Sequence, residues 1–115
     1  MSIFRSTTTL AAAGVNPNLL NGSKFEFLGQ AAVVTLYATD FGGAAASELT
    51  FTLGNVVVGE NVPVNTSAVA GAISTLNDLI GSGVGAPGDR IQIAARNTDA
   101  GATTAVSIML HINEL

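Results

Sequence analysis

Few side chains in this 115-residue sequence could carry out chemistry. It contains one histidine, His111, no cysteine, and eight carboxylates that stand singly along the chain. A hydrolase needs a nucleophile, a base and a group that orients the base. His111 would need an acid such as Asp40 or Asp99 beside it, and no spacing in the sequence demands that arrangement. We therefore predict no catalytic residue and no enzymatic activity, and expect His111 to lie at the surface or an interface.

Calcium binding is the next chemistry to consider, because it needs only oxygen ligands. Asp40 beside Gly42 and Gly43, or Asp99 with Asn97, could supply such oxygens. Aspartate and asparagine in turns more often accept hydrogen bonds from nearby backbone N–H groups. The glycine-rich stretch 81–88 lacks the Lys-Ser/Thr ending of a phosphate loop. We predict no metal-binding residue, no cofactor-binding residue and no cofactor.

Charge is scarce throughout the sequence. Charged residues make up 10% of the chain, against roughly 25% in an average soluble domain. Only four residues are basic, and nucleic-acid binding requires clustered lysine and arginine to neutralise phosphates. We expect no direct nucleic-acid partner, and we expect Arg90 and Arg96 to pair with carboxylates or carbonyl groups.

The mean hydropathy of +0.49 raises the question of a membrane segment. A spanning helix needs about 20 mostly apolar residues. The two long uncharged stretches, 6–23 and 61–77, are instead interrupted by serine, threonine, asparagine, glycine and proline. No apolar core of the kind found in signal peptides stands near the start of the sequence. The sequence therefore predicts no membrane partner.

Alternating apolar and polar residues, typical of half-buried strands, recur along most of the sequence. The segments are residues 25–28, 33–38, 49–53, 56–58, 90–94 and 106–112. Gly54-Asn55 predicts a tight hairpin, residues 81–89 predict a long glycine-rich loop, and residues 97–101 predict a longer hairpin loop. This succession of short strands and turns predicts an all-β fold, an antiparallel β-sandwich that is jelly-roll-like.

Two segments depart from the strand pattern. Val69, Ile73, Leu76 and Ile80 recur at helical spacing, so a short helix and a loop are both compatible with residues 66–80. Residues 1–21 are predicted to form an extended N-terminal arm that pairs with an edge strand of the body or with a neighbouring subunit. Residues 22–115 are predicted to form the β-sandwich domain.

The segment from Gly88 to Gly101, with the alternation at 105–112, is similar to the last hairpin of small jelly-roll virion proteins. The strand pattern at 22–28 is similar in style. Together with the arm, which is rich in Ser, Thr, Ala and Asn, the chain resembles a single-jelly-roll capsid or capsid-associated protein of a bacterial virus. The resemblance implies a virion structural role, assembly in the host cytoplasm, and contacts with itself and with other virion proteins. It identifies no functional residue.

The composition agrees with that resemblance on separate grounds. Subunits whose surfaces are covered by neighbours need few charges, whereas a monomer needs them to stay apart from its copies. Only Arg5 is basic in the arm, which favours a decoration, cement, minor or spike-base role over direct packaging of a genome. The alternative is a small carbohydrate- or calcium-binding sandwich, for which Tyr37 and Phe41 are among the few aromatic residues.

Overall fold

The computed structural model describes residues 2–41, 47–67, 69 and 71–115. These residues form two β-sheets and contain no helix, so none that could cross a membrane. The strands are β1 (Ser2–Leu10), β2 (Val15–Asn16), β3 (Ala32–Phe41), β4 (Ser47–Leu53), β5 (Val56–Pro63), β6 (Asn65–Thr66), β7 (Leu79–Gly85), β8 (Ile91–Asn97) and β9 (Thr104–Glu114). The predicted all-β, antiparallel β-sandwich is confirmed.

The strands pair as one long hairpin would if it were folded over on itself. β1 pairs with β9, β2 with β8, β3 with β7 and β4 with β5, all antiparallel. Further pairing of β3 with β9 and of β4 with β8 gives two sheets, with orders β1-β9-β3-β7 and β2-β8-β4-β5. The two-residue β6 adds a short parallel pair at the end of β3. This nested order is compatible with a jelly roll.

The core lies between the sheets and follows the predicted alternation. Residues that alternate along a strand point to one face of the sheet, so one set enters the core and the other faces outward. The inward set is almost completely buried: Val34, Leu36 and Ala38 from β3, Leu49, Phe51 and Leu53 from β4, Ile91 and Ile93 from β8, and Val106, Ile108, Leu110 and Ile112 from β9.

The segment predicted as an arm pairs within the sandwich. β1 lies along β9 from Ser2↔Ile112 to Leu10↔Thr104, and the two residues of β2 extend the other sheet. Leu10 and Leu20 are buried in the core, and Phe4 and Leu19 pack against it. These four apolar residues are therefore covered by the chain's own body, whereas Ile3 and Val15 stay exposed.

No helix forms among the described residues of 66–80, so the helical alternative is wrong. The apolar stripe is not a buried face, because Leu76 is 90% and Val69 is 64% exposed. Gly71 adopts a positive φ of 76°, which breaks a helix. Asp78 organises the segment instead: its carboxylate accepts a hydrogen bond from the Ser74 N–H at 2.6 Å.

Two other local predictions are also wrong. Residues 25–28 form no strand, and only an isolated bridge joins Phe27 to Arg90. The loop at 97–101 is no hairpin, because β8 and β9 belong to different sheets. The Asn97 side chain donates hydrogen bonds to the carbonyls of Ala11 and Ala102, and so holds the corner where the chain changes sheets.

The glycine-rich loop predicted at 81–89 is mostly strand. Gly81, Gly83 and Gly85 lie in β7, and only residues 86–89 turn. The three glycines occupy the inward positions of β7, an edge strand that packs closely against the opposite sheet. A Cβ at Gly81 would stand 3.0 Å from Val58 Cγ1, and one at Gly83 would stand 3.3 Å from Val58 Cγ2. The hairpin predicted at Gly54-Asn55 is confirmed: it joins β4 to β5 with Gly54 at φ 60°.

Candidate functional site

His111 lies on the outer face of the larger sheet, away from Asp40, and forms no ion pair with a described carboxylate. Its half-buried ring lies 5.1 Å from the ring of Tyr37, and its strand neighbours are Ile3 and Thr35. Asp40 pairs with a residue five positions along β9, about 17 Å away, and points into the core. The described geometry therefore contains no histidine–carboxylate pair on which to build a catalytic site.

Asn97 and Asp99, one of the two calcium alternatives, use their oxygens on the backbone of their own turn. Asn97 Oδ1 accepts the Asp99 N–H at 3.0 Å. Asp99 Oδ1 accepts the N–H groups of Gly101 at 2.7 Å and Ala102 at 3.1 Å. Gly42 and Gly43, the neighbours of Asp40 in the other alternative, lie outside the described residues. Within the described ranges, no three residues of the types His, Asp and Glu come together as metal ligands would.

A buried polar cluster closes the end of the sandwich at which β3 ends and β4 and β9 begin. It comprises Asp40, Ser47, Asn97 and Thr104, each at most 3% exposed. Asp40 Oδ2 accepts the Ser47 N–H at 3.2 Å, while Asp40 Oδ1, Ser47 Oγ and Thr104 Oγ1 have no hydrogen-bond partner in the described part of the chain. This cluster was not predicted from the sequence, although position 40 continues the inward set of β3.

The other turn aspartates also hold the backbone. Asp78 accepts hydrogen bonds from the Ser74 N–H and from the Asn65 side chain. Asp89 Oδ2 accepts the Ala86 N–H at 2.9 Å, which fixes the turn between β7 and β8. These carboxylates stabilise loops at both ends of the sandwich.

All four basic side chains are engaged within the chain. Arg90 Nε donates to Glu26 at 2.8 Å, and Arg96 Nε donates to Glu48 at 2.8 Å on the outer face of the smaller sheet. Arg5 donates to the carbonyl of Gly71 at 2.7 Å, and the Lys24 ammonium lies 5.2 Å from the centre of the Phe25 ring. These four cations therefore form no patch of the kind that holds a phosphate backbone.

Glu26 is the carboxylate most affected by its surroundings. The Gly22 N–H bonds to its Oε1 at 3.1 Å, and Arg90 bonds to its Oε2. The backbone hydrogen bond from Gly22, followed by the hydrogen bond from Arg90, holds the pKa of Glu26 below its ordinary value; burial opposes them, and the charge of Arg90 adds a smaller lowering. This ion pair fastens the 21–30 segment to the start of β8.

Concave space is small across the described surface. Two grooves of the described surface measure about 230 and 240 Å³, below the range of about 300–1,000 Å³ common for small-molecule sites. The first lies against Phe25, Phe27 and Leu28, and the second lies between Arg5 and Ile73. Lys24 and Glu114 also line the first groove, and the lining of the second contains Arg5 but no carboxylate.

The end of the sandwich opposite the polar cluster is apolar and exposed. Its exposed side chains are Phe27 (58%), Val56 (64%), Val57 (56%), Val84 (67%) and Leu115 (76%). We call these five residues the apolar end. They come from four different parts of the chain, and the strand registers bring those parts to the same end. Exposed apolar side chains grouped at one end of a sandwich are candidate contact residues.

No family model matches the sequence, and no curated protein matches it. The topology, the apolar end and the distribution of charge therefore carry the functional inference.

Proposed function

We propose that this chain is a virion structural protein of a bacterial virus that assembles through contacts of its β-sandwich. It would serve as a capsid subunit or as a capsid decoration, cement, minor or spike-base protein. The apolar end is the observation that carries the proposal. A small chain with twelve charged residues in total, which exposes five large apolar side chains at one end, is suited to a surface that neighbours cover.

The nested strand order adds support. One sheet has five strands and the other has four, and their nested pairing is compatible with the jelly roll, an architecture found in viral capsids and also in lectins and cupins. The shared architecture alone does not select among these functions. The choice of the virion role therefore depends on the surface. The grooves are small, the turn aspartates bond to backbone N–H groups, and His111 pairs with no carboxylate among the described residues.

The engagement of the basic residues bears on the partners. Because Arg5, Lys24, Arg90 and Arg96 each contact a group within the chain, direct binding of a genome has little to support it. The proposed partners are copies of this chain and other virion proteins, brought together in the host cytoplasm and retained in the particle. The proposal includes no cofactor and no membrane.

Light scattering and electron microscopy of the purified chain test this function. We expect a mass several times the 11.5 kDa of one chain, and regular particles or rings in the images. A decoration protein would instead associate with preformed shells of its virus in a pull-down of particles. A monomer at high concentration that associates with no particle would refute the proposal.

A variant pair makes the test specific to the apolar end. Val56→Lys and Val84→Lys each put a charge on it, and we expect either change to reduce the assembled fraction at low salt. Thr75→Lys, at an exposed position of the 67–78 segment, is the matched control.

A melting-temperature increase on adding calcium, or a glycan-array signal, would favour the alternative of a small calcium- or carbohydrate-binding module.

A further inference from the structure

The outer edges of a β-sheet carry unpaired N–H and C=O groups, and natural proteins protect such edges from pairing with other chains. Three of the four edges described here carry such protection. β5 has two register irregularities, a left-handed Asn61 and a terminal proline. β2 has two residues and is followed by Pro17. β7 has a register shift between Leu36 and Tyr37 of its partner strand, and β6 continues its edge.

β1 has none of these features. Its nine residues pair with β9 in one unbroken register, with no bulge, no proline and no glycine. Arg5 is its single charge, and the Arg5 guanidinium is directed to the carbonyl of Gly71. Among the described residues, no backbone group of β1 bonds to any segment other than β9. A long, regular and nearly uncharged edge strand is a template for another strand.

We infer that β1 pairs antiparallel with β1 of a second copy of this chain, about a two-fold axis that passes beside Ser6. This inference rests on the proposed function and names one of its contacts. Centring the pair on Ser6 aligns all nine residues, because residue 6 is the midpoint of Ser2–Leu10. At the free edge of β1, every second residue directs both its N–H and its C=O group towards the second copy. The pair would therefore form about eight to ten backbone hydrogen bonds.

The side chains of β1 suit this register. Inward positions of one copy meet inward positions of the other, so both sheets keep their core faces on the same side. On the outer face, Arg5 of one copy lies opposite Thr7 of the second copy, so like charges do not face each other. Centring on Arg5 would place the two guanidinium groups opposite each other and would pair only seven residues.

Cysteine cross-linking tests the axis directly, because the natural chain contains no cysteine. In the inferred dimer, the two copies of Ser6 face each other with Cα atoms about 4.5–5.5 Å apart, within the range of a disulfide. We expect Ser6→Cys to give a disulfide-linked dimer on a non-reducing gel after mild oxidation. Thr8→Cys is the matched control, since it is also inward and half-buried but would lie about 14 Å from its copy.

A charge pair on the outer face gives a second test that leaves the core face unchanged. Thr7→Lys would place a lysine opposite Arg5 of the second copy, and Thr7→Glu would place a carboxylate there. Because of the two-fold axis, each dimer would contain two such pairs. Both variants lose the same hydrogen bond between the hydroxyl groups of Thr7 and Ser107. We expect the dimer dissociation constant of Thr7→Lys to exceed that of Thr7→Glu by on the order of tenfold at low salt.

The outcomes separate this inference from the proposed function. If the chain forms particles but Ser6→Cys cross-links no better than Thr8→Cys, the β1 contact is refuted and the virion proposal stands. If Ser6→Cys cross-links efficiently but no particle or particle association is found, the β1 contact stands and the virion proposal fails. Equal dissociation constants for the two Thr7 variants would also refute the β1 register.

Discussion

Gly85→Ala would place one added methyl group against two buried leucines of the core. Its Cβ would collide with Leu28 Cδ1 and would lie 3.2 Å from Leu53 Cδ1. Leu28 and Leu53 are 5% and 3% exposed, so neither side chain can swing into solvent. Overpacking of a core costs about 1–3 kcal/mol, and replacing glycine by alanine returns about 0.4–1 kcal/mol through the unfolded chain. The variant should therefore lose about 1–2 kcal/mol of unfolding free energy.

Urea unfolding followed by circular dichroism measures this loss, since the chain has no tryptophan for fluorescence. All variants are compared at one protein concentration, because self-association changes apparent stability. Gly29→Ala is the control: no atom lies within 4 Å of its added Cβ, and we expect it to be neutral or slightly stabilising. Leu28→Val should partly rescue Gly85→Ala. The reasoning fails if the two glycine variants unfold at the same urea concentration, or if the Leu28 change shows no coupling.

Three further predictions concern the loops and the polar end. Glu26→Gln should be less stable than the natural chain at neutral pH, and the gap should narrow in acid; stability against pH measures this. The stabilisation from the lowered pKa of Glu26 is complete above its ordinary value of 4.5 and is lost as the pH falls through the lowered pKa. Leu76→Lys should change the unfolding free energy by less than about 0.5 kcal/mol, because Leu76 is 90% exposed, whereas a buried helical stripe would predict a large loss. Asp40→Ala should cost about 1–3 kcal/mol in urea titration, more than Asp40→Asn, because it leaves the buried Ser47 N–H without its acceptor.

The strands of the core could be predicted from the sequence because their signal is local. In the middle of β3, β4, β8 and β9, every second residue is apolar, and the structure buries those residues. The hairpin at Gly54 was also predictable, since a positive φ in a two-residue turn favours glycine. These features depend on neighbours within a few positions along the chain.

The glycines of β7 could not be assigned to a strand because their cause is remote. Gly81, Gly83 and Gly85 are small because Val58, Leu53 and Leu28 occupy the space that their side chains would need. Local propensity sees only a flexible, glycine-rich stretch. Similarly, the sequence at residues 97–101 could not show that the chain crosses from one sheet to the other, because a hairpin and a corner use the same turn residues.

The polar end was partly predictable and the apolar end was not. Asp40 stands at an inward position of an alternating strand, so its burial follows from the same pattern that places Val34 and Leu36 in the core. The apolar end instead joins residues distant in sequence, such as Phe27 and Leu115, and only the strand registers bring them to one place. Candidate contact surfaces of this kind emerge from topology and cannot be derived from a motif.

The β1 edge and the apolar end would do different things in an assembly. A contact about a two-fold axis uses the same patch on both copies, so it closes at a dimer and cannot extend further. A shell therefore needs a second contact, and Val56, Val57 and Val84 of the apolar end lie on β5 and β7, the sheet edges opposite β2 and β1. We accordingly expect Val84→Lys to stop growth at the dimer, with Ser6→Cys cross-linking preserved in that background. If Val84→Lys instead produced monomers and abolished the Ser6→Cys cross-link, the two surfaces would act as one interface and the two-contact scheme would be wrong.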